Sequence, residues 1–207
     1  EKQGALLHFL NQFVGQKGII FCRTKSGVQK LYKQLSIHKF KSGAIHGDLP
    51  QGLRNKVMEQ FREGNISTLI ATDVAARGVD IEDVSYIIQY HVPDTTEIYT
   101  HRSGRTSRVG NEGISLTFVF PEEMEKFEEL SEELRLDVTF LPLPTEKDKL
   151  INDSILFARK IAKAKLAGEL LDTESKQKFI DELRHLSKDE LLEKLLGFSL
   201  NNNQLNQ

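Results

Sequence analysis

The stretch TLIATDVAARGVD, residues 68–80, joins a strand pattern to a run of small and polar residues. Its first five residues form a short apolar run of the kind that makes a buried strand. Such a strand would deliver Thr72, whose hydroxyl and amide suit a phosphate group. Gly78 permits close approach of the backbone to a ligand, and Asp80 can accept a hydrogen bond from a sugar hydroxyl. A plain turn with an aspartate cap is the alternative for this stretch taken alone.

Short apolar runs alternate with helical patterns on both sides of this stretch. The runs predict five strands, at 18–22, 43–47, 68–72, 84–89 and 114–120. Helical spacing predicts helices before, between and after them, at 5–14, 25–35, 50–64, 94–108 and from 121 onward. This alternation is typical of βαβ units, so we predict an α/β fold whose mostly parallel sheet is flanked by helices.

Polar residues follow three of the predicted strands at the point where each strand ends. They are Arg23-Thr24, His46-Gly47-Asp48 and Thr72-Asp73. Sheets of this class bind ligands outside the carboxyl ends of their strands. The pattern therefore predicts a binding edge, without naming the ligand.

The segment HRSGRTSR, residues 101–108, follows a capping-box pattern that begins at Asp94. If the helix continues through the segment, His101, Arg105 and Arg108 share one face. Two guanidinium groups one turn apart, with an imidazole beside them, suit a polyphosphate. A solvated basic face is the alternative that the spacing alone leaves open.

The composition is that of an ordinary globular chain, with 39% hydrophobic and 28% charged residues among 207. The net charge of −2 gives no global positive field, so any contact with nucleic acid must come from a local patch. The single cysteine, Cys22, excludes an internal disulfide and a cysteine-based zinc site. We find no signal peptide and no apolar run near the roughly 20 residues of a membrane span, and we expect a cytoplasmic protein with no membrane contact. Because the first residue is Glu1, we also expect a fragment of a longer chain.

The alternation of strand and helix patterns stops after Leu141, where a proline-containing connector leads into helical patterns only. Capping residues Thr145, Asp172 and Ser187 predict three amphipathic helices. Residues 142–207 contain 11 Lys+Arg and 11 Asp+Glu, which argues against a basic RNA-gripping tail. The apolar stripes could pack back on the first domain or pair with a second copy. We predict a first domain at 1–141, a helical extension at 142–197 and a disordered tail at 198–207.

Read together, the motifs resemble a known family. ATDVAARGVD (71–80) followed by HRSGRTSR (101–108) resembles the C-terminal RecA-like domain of DEAD-box RNA helicases. The resemblance covers roughly residues 1–135 and includes IIFCRTK (19–25), AIHGDLPQGLR (44–54) and MEQFREG (58–64). His101 points to the DEAD-box group, because related helicases typically have Gln there. The resemblance implies a RecA-like sheet followed by an all-helical extension, as in bacterial members.

The resemblance implies an ATP site shared with a second RecA-like domain. Arg105 and Arg108 are similar to arginine fingers that reach the triphosphate, where stabilising the transferring phosphoryl group is worth a factor of about 10³–10⁵ in rate. Gly78 and Asp80 are similar to positions that meet the nucleotide, with Asp80 near the ribose. His101 completes the catalytic set by coupling the two domains. The implied interdomain residues are Arg77, His101 and Arg102. Ser107 stands where the family usually has Gly.

The resemblance also implies an RNA site on the sugar-phosphate backbone of one strand. The matching positions are Arg23, Thr24, Gly47, Asp48, Gln51, Arg54 and Thr72. Backbone contacts carry no base information, so we expect binding that does not select sequence.

No G-x-x-x-x-G-K-[ST] loop and no Asp-Glu-Ala-Asp segment occur in the sequence. In the family both belong to an N-terminal RecA-like domain, which would hold the magnesium ion that accompanies ATP. We therefore expect no metal site in this chain, and no ATP hydrolysis or unwinding by the chain alone. In the whole enzyme ATP and RNA would bind cooperatively as the two domains close.

Two alternatives to an RNA helicase domain stay open from the sequence. The chain could be a catalytically silent scaffold or regulatory module with a helicase fold, although its arginine positions and Asp80 are intact. It could also be the equivalent domain of a DNA-directed helicase-like translocase, against which His101 argues. The extension at 142–197 resembles, in position and helical content, the dimerisation module of some bacterial members, and we expect a homodimer through it.

Overall fold

The computed structural model describes residues 2–77, 81, 84–106, 113–164 and 172–204, and the side chains of all of these except 77, 163 and 202–204. The chain divides into two compact units. One is Phe13–Leu141, and the other combines Glu1–Gln12 with Pro142–Gln207. The predicted first domain at 1–141 thus differs from the observed unit at its amino-terminal end.

The strands in the described residues form one parallel sheet in the order β2-β3-β1-β4-β5. They are β1 (Gly18–Phe21), β2 (Ser42–Ile45), β3 (Thr68–Ala71), β4 (Tyr86–Gln89) and β5 (Ile114–Thr117). The helices are α1 (Lys2–Gln12), α2 (Lys25–Ile37), α3 (Gln51–Arg62), α4 (Asp73–Arg77), α5 (Thr96–Ser103), α6 (Met124–Glu133), α7 (Glu146–Lys163), α8 (Thr173–Leu183) and α9 (Lys188–Gln204), with a 3₁₀ turn at Pro121–Glu123. This arrangement confirms the α/β fold with a parallel sheet flanked by helices that the alternating pattern predicted, and the helical extension follows it.

The central strands are buried along their whole length because helices cover both faces of a parallel sheet. Tyr86 of β4 places its ring against Gly18, its partner on β1, where an added Cβ would lie 2.2 Å from ring atoms. The Tyr86 hydroxyl is 2.7 Å from the hydroxyl of Thr68, and the Phe13 ring stacks on the Tyr86 ring at 4.4 Å between centroids. Burial raises the pKa of Tyr86 to about 12.

Helix α5 (Thr96–Ser103) is shorter at both ends than the helix predicted at 94–108. Thr95 is the N-cap, since its hydroxyl accepts from the backbone N–H of Ile98 at 3.3 Å, so the predicted cap at Asp94 is wrong. The Asp94 carboxylate instead accepts from Lys126 of α6 at 2.6 Å. The helix ends at Ser103 with Gly104 as its C-cap. The predicted helical face that runs through residue 108 therefore does not form in the described residues.

The second unit consists of α1, α7, α8 and α9. The amide of Asn152 on α7 lies 2.6 Å from Nδ1 of His8 and donates to the His8 carbonyl at 3.3 Å, while Arg159 donates to the carbonyl of Asn11 at 3.3 Å. These contacts explain why residues 1–12 group with the helices after residue 141. No helix in the described part of the chain is long and apolar enough to cross a membrane.

The predicted caps of the extension are present. Thr145 and Asp148 form a capping box at the start of α7, Asp172 caps α8, and Ser187 exchanges hydrogen bonds with Glu190 at the start of α9. Helix α9 continues past Gly197 to Gln204, so the predicted end of the extension at 197 is wrong, and so is the predicted disorder for residues 198–204. That glycine lies within the helix instead of ending it.

Candidate functional site

A cleft lies at the carboxyl edge of the sheet in the unit Phe13–Leu141. Strands β2, β3 and β1 are neighbours, so the loops that follow them meet at one edge. The cleft has a volume of about 1120 Å³. Its lining includes five of the residues predicted to hold an RNA backbone: Arg23, Thr24, Gly47, Asp48 and Thr72. The fold thus brings together residues that lie up to 49 positions apart in the sequence.

The two remaining predicted RNA residues, Gln51 and Arg54, lie on the first turn of α3. Arg54 donates from Nη2 to the carbonyl of Ala75 on α4 at 3.0 Å, and from Nη1 to Oε1 of Gln51 at 3.4 Å. Arg54 therefore ties α3 to α4, the short helix that follows Thr72. The sequence did not indicate this contact, because it depends on how two helices from separate βαβ units meet.

Arg23 stands at the rim of the cleft with its side chain about half exposed. Its Nη2 donates to Oε1 of Glu123 at 3.1 Å and to the carbonyl of Val92 at 3.3 Å. Asp94 lies 3.9 Å from the same nitrogen. The guanidinium is thus oriented from one side by acids, which stabilise its charge and fix its direction.

The cleft lining also includes Lys25, His46 and Val74, which were not among the residues predicted to hold RNA. Lys25, at the start of α2, donates to the Asp48 carboxylate, and this hydrogen bond is the main cause that lowers the Asp48 pKa. His46 is buried, and its Nε2 lies 2.6 Å from the amide nitrogen of Gln29. Val74 of α4 exposes 77% of its surface in the same cleft. The signal that could have indicated Lys25 is its place beside Arg23 and Thr24, directly after a strand.

Arg102, predicted to lie at an interdomain surface, is buried against residues of its own unit. Its guanidinium forms a two-point contact with Asp73, from Nε at 2.6 Å and from Nη2 at 2.8 Å, and Nη1 donates to Gln89 at 3.2 Å. The group also lies 5.2 Å from the centroid of the Phe21 ring. With the residue only 6% exposed, Arg102 is a buried link between α5, α4 and β4. The Arg102 side chain thus donates within its own unit, and its predicted interdomain role stays a prediction.

The segment after α5 places Arg105 in a turn that is anchored to the start of β4. The backbone N–H of Val84 donates to the Arg105 carbonyl at 3.2 Å, and Arg105 Nη1 donates to the Ile81 carbonyl at 3.4 Å. His101 is exposed on the last turn of α5. Of the other predicted residues, Gly78, Asp80, Ser107 and Arg108 lie outside the described residues, as does the side chain of Arg77.

Within the described part of the chain, no group of three or more His, Cys, Asp or Glu residues is placed to hold a metal ion. The arginine and lysine side chains at the carboxyl edge suit an anionic ligand.

Comparison with known proteins gives a match over residues 1–110 to the family described as "Helicase conserved C-terminal domain". The chain is 37% identical over 172 residues to the ATP-dependent RNA helicase CshA of Listeria monocytogenes, which covers 83% of this chain and 33% of the relative. The chain thus spans about a third of the length of this curated relative.

Solved structures show the same likeness. A DEAD box protein from Methanococcus jannaschii matches 68% of this chain and 39% of its own, with a TM-score of 0.63 and 37% identity. The Saccharomyces cerevisiae protein Dbp5 L327V, bound to RNA and ADP BeF3, matches 78% of this chain and 42% of its own, with a TM-score of 0.63 and 27% identity.

Proposed function

The chain belongs to the helicase conserved C-terminal domain family, in its DEAD-box group, and from this premise we propose that it supplies the C-terminal half of an ATP-dependent RNA helicase. The observation that carries the proposal is the cleft that gathers Arg23, Thr24, Gly47, Asp48 and Thr72 at one edge of the sheet. A chain whose net charge is −2 binds a polyanion only through such a local arrangement.

In this role the cleft holds the backbone of one RNA strand. Arginine at the rim and the hydroxyls of Thr24 and Thr72 can contact phosphate oxygens, which position a strand without reading its bases. The Dbp5 structure with bound RNA supports a nucleic-acid ligand for this fold. Asp48 is the exception in the set, since a carboxylate repels phosphate and can only accept from a donor such as a 2′-hydroxyl or an ammonium.

We place Arg105 and Arg108 against the triphosphate of ATP, with Gly78 and Asp80 at the nucleotide and His101 coupling to the partner domain. Bound Mg²⁺–ATP would supply a phosphoryl group whose transfer the arginines assist by stabilising its charge. Arg105 fits such a group, because its turn is anchored at Val84 while its side chain stays partly exposed. The magnesium ligands and the phosphate-binding loop would come from the N-terminal RecA-like domain, so the isolated chain should not hydrolyse ATP.

The catalytic part is tested in the full-length protein that carries both domains. Arg105→Ala should lower RNA-stimulated ATP hydrolysis by a factor of about 10³. Arg62→Ala, which changes an exposed arginine on the last turn of α3, is the matched control and should leave the rate unchanged. Equal rates for wild type and Arg105→Ala would contradict the arginine-finger role. Steady phosphate release by the 207-residue chain alone would contradict the proposal that hydrolysis needs the N-terminal RecA-like domain.

The choice of RNA is tested by titrating the chain with a labelled single-stranded RNA and with DNA of the same sequence. The affinity should fall with salt, with a slope of about −0.7 per contacted phosphate, and RNA should bind more tightly than DNA. Tighter binding of DNA would favour the DNA-directed alternative. The absence of both nucleic-acid binding and any effect of Arg105 would favour the scaffold alternative.

We also propose that the chain forms a homodimer through its helical extension, and that the protein is cytoplasmic. Large apolar residues are exposed on two helices of the extension, including Phe179 at 66% on α8 and Phe198 at 62% on α9. Exposed apolar surface of this kind is typical of contact with another molecule.

Sedimentation over a wide concentration range tests the dimer. Phe179→Ser combined with Phe198→Ser should convert a dimer to a monomer, whereas Ile37→Ser, at an apolar residue of α2 that is 77% exposed, should not. A wild-type monomer at every concentration would refute the dimer. In the alternative, in which the full chain and a chain cut after Leu141 are both monomers, the extension braces its own chain, as the α7 contacts to His8 and Asn11 would allow, and the cut chain should melt at a lower temperature.

A further inference from the structure

We propose that Lys25 is a further phosphate-binding residue of the RNA cleft and that Asp48 acts as a positioning residue, which holds the Lys25 ammonium at the cleft wall. The inference rests on the proposed function, because it concerns the same cleft. It assigns a role to a lysine that the motif comparison left out.

The first step is the position of the Lys25 side chain. Lys25 lies in the lining of the cleft, and its ammonium donates to Oδ1 of Asp48. The end of its stem lies over Gly47, where an added Cβ would be 3.6 Å from Cε and 3.9 Å from Nζ. The ammonium is thus held between the backbone after β2 and the carboxylate beside it, within the row of residues proposed to hold RNA.

The second step is the charge of Asp48. A carboxylate in a cleft for a polyanion raises the free energy of binding unless its charge is compensated. The hydrogen bond from Lys25 supplies that compensation and also lowers the Asp48 pKa, which keeps the carboxylate ionised. Asp48 therefore has a partner already, and its contact with RNA need not be direct.

The third step is the donor count of the ammonium. An ammonium has three N–H donors, and one of them is directed to Asp48. The side chain is 55% exposed, so the other donors can reach an incoming phosphate. Holding one donor fixes the position of the flexible lysine stem and reduces the side-chain entropy lost on binding. The pair acts as a preorganised cationic contact with Asp48 as its support.

The test is the salt dependence of RNA binding by the 207-residue chain, measured by fluorescence anisotropy with a labelled single-stranded oligouridylate. Lys25→Gln should weaken binding about three- to tenfold at low salt and reduce the salt slope by about 0.7, the value for one lost phosphate contact on a single strand. Lys25→Arg should restore most of the slope. Lys33→Gln removes the same charge from an exposed position further along α2, outside the cleft lining. It should change the affinity and the salt slope less than Lys25→Gln does.

Asp48→Asn tests the positioning role. In the wild-type background it frees the Lys25 stem, whereas with Lys25→Gln it only removes a negative charge and should strengthen binding. The effects of the two substitutions should therefore be non-additive. If the wild type binds RNA and Lys25→Gln matches it in affinity and slope, the inference is overturned while the proposed function stands. If the wild type binds no RNA at low salt, both are overturned.

Discussion

Two ion pairs lie at the carboxyl edge of the sheet, and they differ in burial. The Arg102–Asp73 pair is largely enclosed, with side-chain exposures of 7% and 26%, while the Lys25–Asp48 pair exposes 55% and 66%. The buried pair has its donors committed to partners in its own unit. The open pair has donors and charge that solvent or a ligand can reach. Similar residue types thus hold the fold together at one place and are available for binding at another.

The largest expected effect comes from breaking the buried pair. Arg102→Met should lower the free energy of unfolding by about 3–5 kcal/mol, because Asp73 and Gln89 lose the donor that satisfies them. Urea denaturation followed by circular dichroism measures the change. Lys25→Met is the matched control at the open pair and should have a much smaller effect. Equal losses in the free energy of unfolding for Arg102→Met and Lys25→Met would contradict the view that the buried pair stabilises the fold more than the open pair.

The buried hydroxyl of Tyr86, which contacts the hydroxyl of Thr68, makes a contribution to stability that depends on pH. Tyrosine in an unfolded chain titrates near pH 10, whereas burial raises the pKa of Tyr86 to about 12. The folded state retains the proton longer, so this stabilisation is complete below pH 10 and is lost as the pH rises through 12. Its upper size is about 2–3 kcal/mol. Tyr86→Phe should flatten the decline in stability between those pH values, and an unchanged decline would show that other groups cause it.

The sequence was sufficient to predict the sheet and the edge that carries the cleft. Each strand of the sheet is a continuous or alternating apolar run, and the polar residues after β1, β2 and β3 meet because parallel neighbours end at the same edge. These features depend on local pattern and on the fixed direction of βαβ units. The same holds for the caps at Thr145, Asp172 and Ser187, which depend on residues three positions apart.

What the sequence could not predict depends on contacts between separate elements. The predicted cap at Asp94 was wrong because the next residue, Thr95, caps the helix instead, and the Asp94 carboxylate accepts a hydrogen bond from Lys126, 32 positions away. Arg102 resembled its exposed neighbour His101 in the motif, yet on a short helix the two side chains point to opposite environments. The roles of Lys25 and Arg54 also depend on tertiary contacts, with Asp48 and with Ala75. Motif positions indicate chemistry, but burial decides whether a charge is structural.

The smallest effect is expected at a third ion pair, Lys126–Asp94, whose side chains are 38% and 63% exposed. Lys126→Gln should change the free energy of unfolding by about 0.5 kcal/mol or less, because water screens an exposed pair. The clearer readout is the Asp94 pKa, which the hydrogen bond from Lys126 lowers. The stabilisation linked to Asp94 is present above its ordinary pKa and is lost as the pH falls through the lowered value. Carboxyl titration by NMR should show the Asp94 pKa rising towards its ordinary value in Lys126→Gln. A loss of stability as large as that of Arg102→Met would mean that exposure does not separate the two kinds of ion pair in this protein.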